Sequence, residues 1–172
     1  VGGSGVTGAV GQVLAGMELA EQSSAAGVRP DVVILPTATG GTQAGLLVGL
    51  ALAGLPAHVR GMAVAHPSAE LGPIVGGLVG GLAKLTGVAG TGVGPLEIED
   101  GWIGAGYGMP TAAAGRATEV LARTEGILVD PIYTAKALAG LVDGVRAGRF
   151  DRLTIVFWHA GGLPGLFEPL GP

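Results

Sequence analysis

Apolar positions along this chain switch repeatedly between helical spacing and short unbroken runs. Val10, Val13, Leu14, Met17 and Ala20 recur every third or fourth residue up to Glu21, which predicts a helix with those side chains on its buried face. A loop at Gly2–Gly5 precedes it, with Ser4 as a candidate cap. Pro30-Asp31 then leads into Val32-Val33-Ile34-Leu35, an all-apolar, β-branched run of the kind buried on both faces of a parallel sheet. A glycine- and threonine-rich loop follows, and after it an apolar helix over Thr42–Ala53. Val59–Val64 reads as the next strand and Pro67–Leu85 as a helix, despite glycines that weaken it. Gly87–Gly94 reads as a loop and Leu96–Asp100 as a short strand. Thr111–Glu125 is a helix with Ala117, Val120 and Leu121 on one face, ended by Gly126. Asp130-Pro131 opens a further helix over Ile132–Arg146, and Leu153–Trp158 is a last buried strand. Strand alternating with helix predicts an α/β fold of three layers, α/β/α, around a mostly parallel sheet.

Composition sharpens this picture. A length of 172 residues suits one domain, and 48% hydrophobic against 13% charged residues describes a packed core. With no cysteine, disulfides, thiolate metal sites and a cysteine nucleophile are excluded, and a reducing, cytoplasmic setting is expected. The net charge of −4 and the scattered basic residues give no footprint for nucleic acid. Any phosphate must therefore be held by backbone N–H groups and hydroxyls. Ala44–Leu55 and Leu71–Ala83 are apolar but fall short of the roughly 20 residues a membrane span needs. The Gly45/Gly49 and Gly76/Gly80 pairs inside them read as close helix packing in a core. The chain opens at Val1, with neither Met nor a visible signal peptide, in what reads as a turn; further chain is expected before it.

Chemistry concentrates in the loop Thr37-Ala38-Thr39-Gly40-Gly41-Thr42-Gln43-Ala44-Gly45. It joins a buried strand to a helix, the position where ligands bind in open α/β sheets. Glycines admit an anion close to the backbone, the helix start supplies unpaired N–H groups, and Thr39 and Thr42 add hydroxyls. The lysine of a nucleotide P-loop is missing. A second glycine motif, Gly3-Ser4-Gly5-Val6-Thr7-Gly8, matches the dinucleotide fingerprint by letter, but no strand precedes it and Asp31 comes before a strand rather than after one. His58 and His66 read as surface or loop histidines, and Glu97, Glu99 and Asp100 as a solvated acidic turn with no metal. Glu119, Arg123 and Glu125 read as a solvated helix face. His159 ends the last strand near the same sheet edge as the glycine loop. Tyr107, in a loop, and Tyr133, at a helix start, are the chain's two tyrosines, suited either to acid–base and stacking roles or to core filling.

Taken together, the glycine/threonine loop, Gly106-Tyr107-Gly108-Met109-Pro110, the run from Arg123 to Lys136 (RTEGILVDPIYTAK) and His159-Ala160-Gly161-Gly162-Leu163-Pro164 resemble one family. It is the D-cysteine desulfhydrase and 1-aminocyclopropane-1-carboxylate (ACC) deaminase family, pyridoxal-phosphate enzymes of the tryptophan-synthase-β fold (fold type II). Val1-Gly2-Gly3-Ser4 resembles the segment where that family's chain re-enters its large domain. The resemblance implies that residues 1–172 form the C-terminal part of the large, cofactor-binding domain. The small domain and the Schiff-base lysine lie upstream in that family, and neither Lys84 nor Lys136 matches that lysine.

The resemblance further implies roles. Thr39, Gly40, Gly41 and Thr42 would hold the phosphate of pyridoxal 5'-phosphate, Tyr107 and Tyr133 would stand over the active site, and Thr134 would face the pyridine nitrogen. The deaminases carry glutamate at the Thr134 position, so the neutral hydroxyl resembles the desulfhydrase branch. The implied reaction is α,β-elimination on a small, D-cysteine-like amino acid to pyruvate, ammonia and sulfide, by a homodimeric enzyme. ACC deamination and cysteate sulfo-lyase activity are the alternatives within the family. Ala160 stands where desulfhydrases tend to have threonine, and Ala135 where glycine is usual. The alternative from another class is a non-catalytic module that binds a phosphate-bearing ligand.

Overall fold

The computed structural model describes residues 4–88 and 92–167. Gly2 and Gly3 of the predicted first loop, the Val1–Gly3 part of the re-entry segment and residues 89–91 of the predicted Gly87–Gly94 loop lie outside it. The elements run α1 (Val6–Ala25), β1 (Val32–Thr37), α2 (Gly41–Leu52), β2 (His58–Ala63), α3 (Ser68–Thr86), β3 (Glu97–Glu99), α4 (Ala112–Glu125), α5 (Thr134–Arg146) and β4 (Ile155–Phe157), followed by a 3-10 turn at Leu163–Leu166.

Four strands form a sheet in the order β3-β2-β1-β4, and every pairing is parallel. The registers Val32↔His58 and Val32↔Ile155 align the strands so that their carboxyl ends share one edge. Alternation along β1 divides the core. Val33 and Leu35 pack under Leu46, Leu47 and Leu50 of α2, and Val32 and Ile34 pack with Met62, Phe150 and Ala137 of α5 on the opposite face. Val13, Val48, Val75 and Leu82 join α1 and α3 to the α2 side, and Ala117 of α4 packs on Leu138 of α5 on the other. This is the three-layer arrangement that an unbroken apolar strand demands.

The first helix turns a different face inward from the one its larger side chains predict. Leu14 and Met17 are exposed, while Ala9, Val13, Gly16 and Ser23 are buried. The reason is the closeness of α2: a Cβ on Gly45 would run into Gln12 and the Ala9 carbonyl, and one on Gly49 into the Val13 carbonyl. Backbone contact between glycines, rather than large apolar side chains, selects the packed face. Gly45 and Gly49 thus do bring two helices together, but Gly76 and Gly80 do not; both are exposed with open space around them. Ser4 does not cap α1; Gly5 holds the N-cap position without a side-chain bond. In α4, Val120 is largely exposed although Ala117 is buried.

Candidate active site at the carboxyl edge of the sheet

β1 ends in Thr37, and the chain turns over Ala38 and Thr39 into α2. The turn depends on Gly40, which has φ +82° and caps the helix in the left-handed region; a Cβ there would strike the Val75 side chain. No side chain caps α2, and no acid stands in its first turn. Its first backbone bond runs from the Ala44 N–H to the Gly40 carbonyl at 2.9 Å. The amides ahead of Ala44 are therefore the donors a helix start leaves open, at the positive end of its dipole. Gly40 and Gly41 form the buried floor, Thr42 is half-buried and Thr39 exposed. Residues 36–43 and Tyr133 line one small pocket.

Gln43 fixes this turn from beneath. It is wholly buried, and its amide donates to the Glu97 carbonyl at 2.7 Å and the Val59 carbonyl at 3.3 Å. Its oxygen accepts from the Thr37 hydroxyl at 3.0 Å. One side chain thus ties β1, α2, β2 and β3 together, and Gly61 leaves the room it needs.

The opposite wall comes from the start of α5. The helix begins at Thr134, later than its apolar pattern predicts, because the buried Asp130 carboxylate gathers the amides ahead of it. It accepts from Ile132 at 3.1 Å, Tyr133 at 2.6 Å and Thr134 at 2.8 Å. This turn aims Tyr133 at the end of β1, where its hydroxyl donates to the Pro36 carbonyl at 3.2 Å. Burial above all, then Tyr107 and Asp130, pushes the Tyr133 phenol up to about 12. Tyr107 is exposed but close enough to contribute to that shift. Thr134 is buried, and its hydroxyl donates to the Gly161 carbonyl at 2.9 Å. Trp158 bonds to the Ile34 carbonyl, so the segment His159–Gly162 leaves the sheet beside β1. Gly162, at φ +89°, packs against Asp130 so closely that a Cβ would collide with the carboxylate.

The structure thus gathers Thr39, Gly40, Gly41, Thr42 and Tyr133 around one pocket, with Tyr107 and Thr134 adjoining through Tyr133. His159 is exposed at the same edge. His58, the first residue of β2, and His66 lie on Glu97 and Glu70 instead. The acidic stretch is the short strand expected at Leu96–Asp100, and its side chains are paired rather than solvated. Glu97 and Glu99 form β3 and pair with Arg60 and Arg149, and Asp100 holds the start of α3 through the Ser68 amide at 2.8 Å. Arg123 and Glu119 pair on the exposed face of α4. The Gly5–Gly8 half of the second glycine motif leads into α1, with no strand ahead of it among the described residues. Gln43, Asp130 and Lys136 are structural keys that the pattern did not single out. Their signals were present: a lone amide in an apolar helix, an acid before proline, and a lone charge in an alanine-rich run.

Residues 2–161 match the family described as pyridoxal-phosphate dependent enzyme. Among solved structures, an ACC deaminase homologue is 32% identical, with a TM-score of 0.83 over 94% of this chain and 48% of its own. The T.th. threonine deaminase (20% identity, TM-score 0.57, 88% of this chain and 57% of its own) shares the fold. So does O-ureido-L-serine synthase (17%, 0.53, 94% and 50%). The chain spans about half the length of these relatives.

Proposed function

This chain belongs to the pyridoxal-phosphate dependent enzyme family, of fold type II, and from that premise we propose that the complete protein is a lyase performing α,β-elimination on a cysteine-like amino acid. The cofactor fits the residues present. An uncapped helix start, a left-handed glycine and two threonine hydroxyls form a neutral donor set for a phosphate dianion, with no carboxylate in the first turn to repel it. Thr39, Gly40, Gly41 and Thr42 would hold that phosphate, and Thr134 would meet the ring. When bound, pyridoxal phosphate supplies an electron sink for the pair left on Cα when that carbon loses its proton.

The reading rests on Thr134. A neutral hydroxyl, bonded to the Gly161 carbonyl, occupies the position where a deaminase of the family resembled would carry a carboxylate. The buried acid nearby, Asp130, has both oxygens engaged by amides. A ring left without a charged partner is a milder sink, which suits departure of a good leaving group from Cβ. Tyr133 is protonated throughout the neutral range, and its hydroxyl can turn from the Pro36 carbonyl to donate its proton to the departing sulfur. Tyr107 lies exposed nearby. Lys84 lies in the last turn of α3, and Lys136 is buried against carbonyls, so covalent attachment is assigned to the part of the protein outside this chain.

Likeness to the ACC deaminase homologue favours a second reading, opening of the cyclopropane amino acid. The complete protein, loaded with cofactor, is expected to release sulfide, pyruvate and ammonia from D-cysteine in equal amounts. Ammonia and 2-oxobutyrate from the cyclopropane substrate, without sulfide from D-cysteine, would establish the second reading instead. Cofactor binding without turnover of either, or of cysteate, would leave a binding module.

A further inference from the structure

Lys136 has no part in the chemistry above, yet its side chain is 0% exposed. A buried ammonium is costly to desolvate and is retained where it is hydrogen-bonded. Its Nζ donates to the carbonyls of Ile103 at 2.6 Å and Gly106 at 2.9 Å. Both carbonyls belong to residues 101–110, the loop ahead of α4. That loop carries Gly101, Gly104, Gly106 and Gly108 at φ +106°, +69°, +152° and +82°, backbone shapes that side chains rarely adopt. Among the described residues its one internal backbone bond, Met109 N–H to the Gly106 carbonyl, is long at 3.3 Å. Packing of Trp102 against Gly140 anchors one end, and Thr111, the N-cap of α4, anchors the other. Between them, Lys136 grips the backbone immediately before Tyr107.

Tyr133 precedes Lys136 by about one helical turn. The start of α5 therefore presents one tyrosine directly and holds the loop that carries the other. We propose that Lys136 is a positioning residue, fixing Tyr107 beside Tyr133 through the Ile103 and Gly106 carbonyls. The inference rests on the tyrosine pair facing substrate, but its structural half can be tested without turnover.

The test uses the complete, cofactor-loaded protein with Lys136→Met and Lys136→Gln, the latter keeping an uncharged N–H donor group should the methionine variant not fold. Chymotryptic cleavage after Tyr107, followed by mass spectrometry, is expected to speed by about tenfold or more, the scale of losing a hydrogen bond to a charged group. KM is expected to rise by a similar factor with a smaller change in kcat. Adding Tyr107→Phe should cause little further loss, because both changes remove the same interaction. Unchanged cleavage in a folded variant, or losses that multiply in the double variant, would overturn the proposal. So would wild-type protein cut after Tyr107 as fast as the denatured chain. Absence of elimination activity alongside faster cleavage would sink the functional reading and leave the loop's attachment standing.

Discussion

The Tyr133 hydroxyl donates to the carbonyl of Pro36, a residue 97 positions earlier in the chain. That bond connects the start of α5 to the last residues of β1, so the two walls of the pocket cannot separate without breaking it.

Ionisation of Tyr133 is expected to weaken the fold. Its pKa is raised from 10.0 to about 12, so the folded state holds this proton more tightly than the unfolded chain does. The stability this provides is complete below pH 10 and lost as pH rises toward 12. Denaturant unfolding of wild type and Tyr133→Phe between pH 8 and about 12 should show the steeper fall only in wild type. Parallel curves would contradict it.

Gly40→Ala is expected to weaken cofactor binding. The new methyl group meets Val75, and alanine at φ +82° is strained by roughly 1–2 kcal/mol. Relieving both moves the amides that would meet the phosphate. Spectrophotometric titration with pyridoxal phosphate should give an affinity lower by about tenfold or more, the equivalent of some 1.4 kcal/mol.

Replacing Gln43 with leucine leaves the Val59 and Glu97 carbonyls without its amide and the Thr37 hydroxyl without its acceptor. A loss of about 2–4 kcal/mol is expected, from several buried polar groups left unpaired. Denaturant melts with and without cofactor should show cofactor rescuing less of the variant's stability than of the wild type's.

Glu97 carries an acid-side effect. Burial alone would raise its carboxyl, but hydrogen bonds from His58 and Arg60, with their charges, hold it below its usual 4.5. A depressed carboxylate stabilises the fold above pH 4.5 and loses that contribution as pH falls through its folded value. The stability gap between wild type and Glu97→Gln should be open at pH 5 and close below about pH 4. A gap that persists at pH 3 would show that pairing of β2 with β3, rather than the charge, sets it.

The strands and the glycine turn were legible because their signals are local. Val32–Leu35 can only be a buried strand, and a glycine/threonine turn after it has few other uses. Leu14 and Met17 misled because helix contact through Gly45 and Gly49 depends on an absence of side chain, which hydrophobic counting scores as neutral. Gln43 and Lys136 are marked in the sequence only as lone polar positions in apolar runs, which do not name a partner. Their partners are backbone carbonyls 16 to 54 and 30 to 33 residues away, and a carbonyl has no sequence signature. The pairing of the acidic side chains was not legible because Arg60 on β2 and Arg149 in the turn after α5 meet them only when the sheet assembles.

Parallel strands send all the chemistry to one edge of the sheet. At the other edge, the connections around Gly27, Gly54 and Gly148 are exposed, and none contributes a residue to the pocket. Those three turns are the places to attach a fluorophore, splice in an affinity tag or open new termini while leaving the pocket undisturbed.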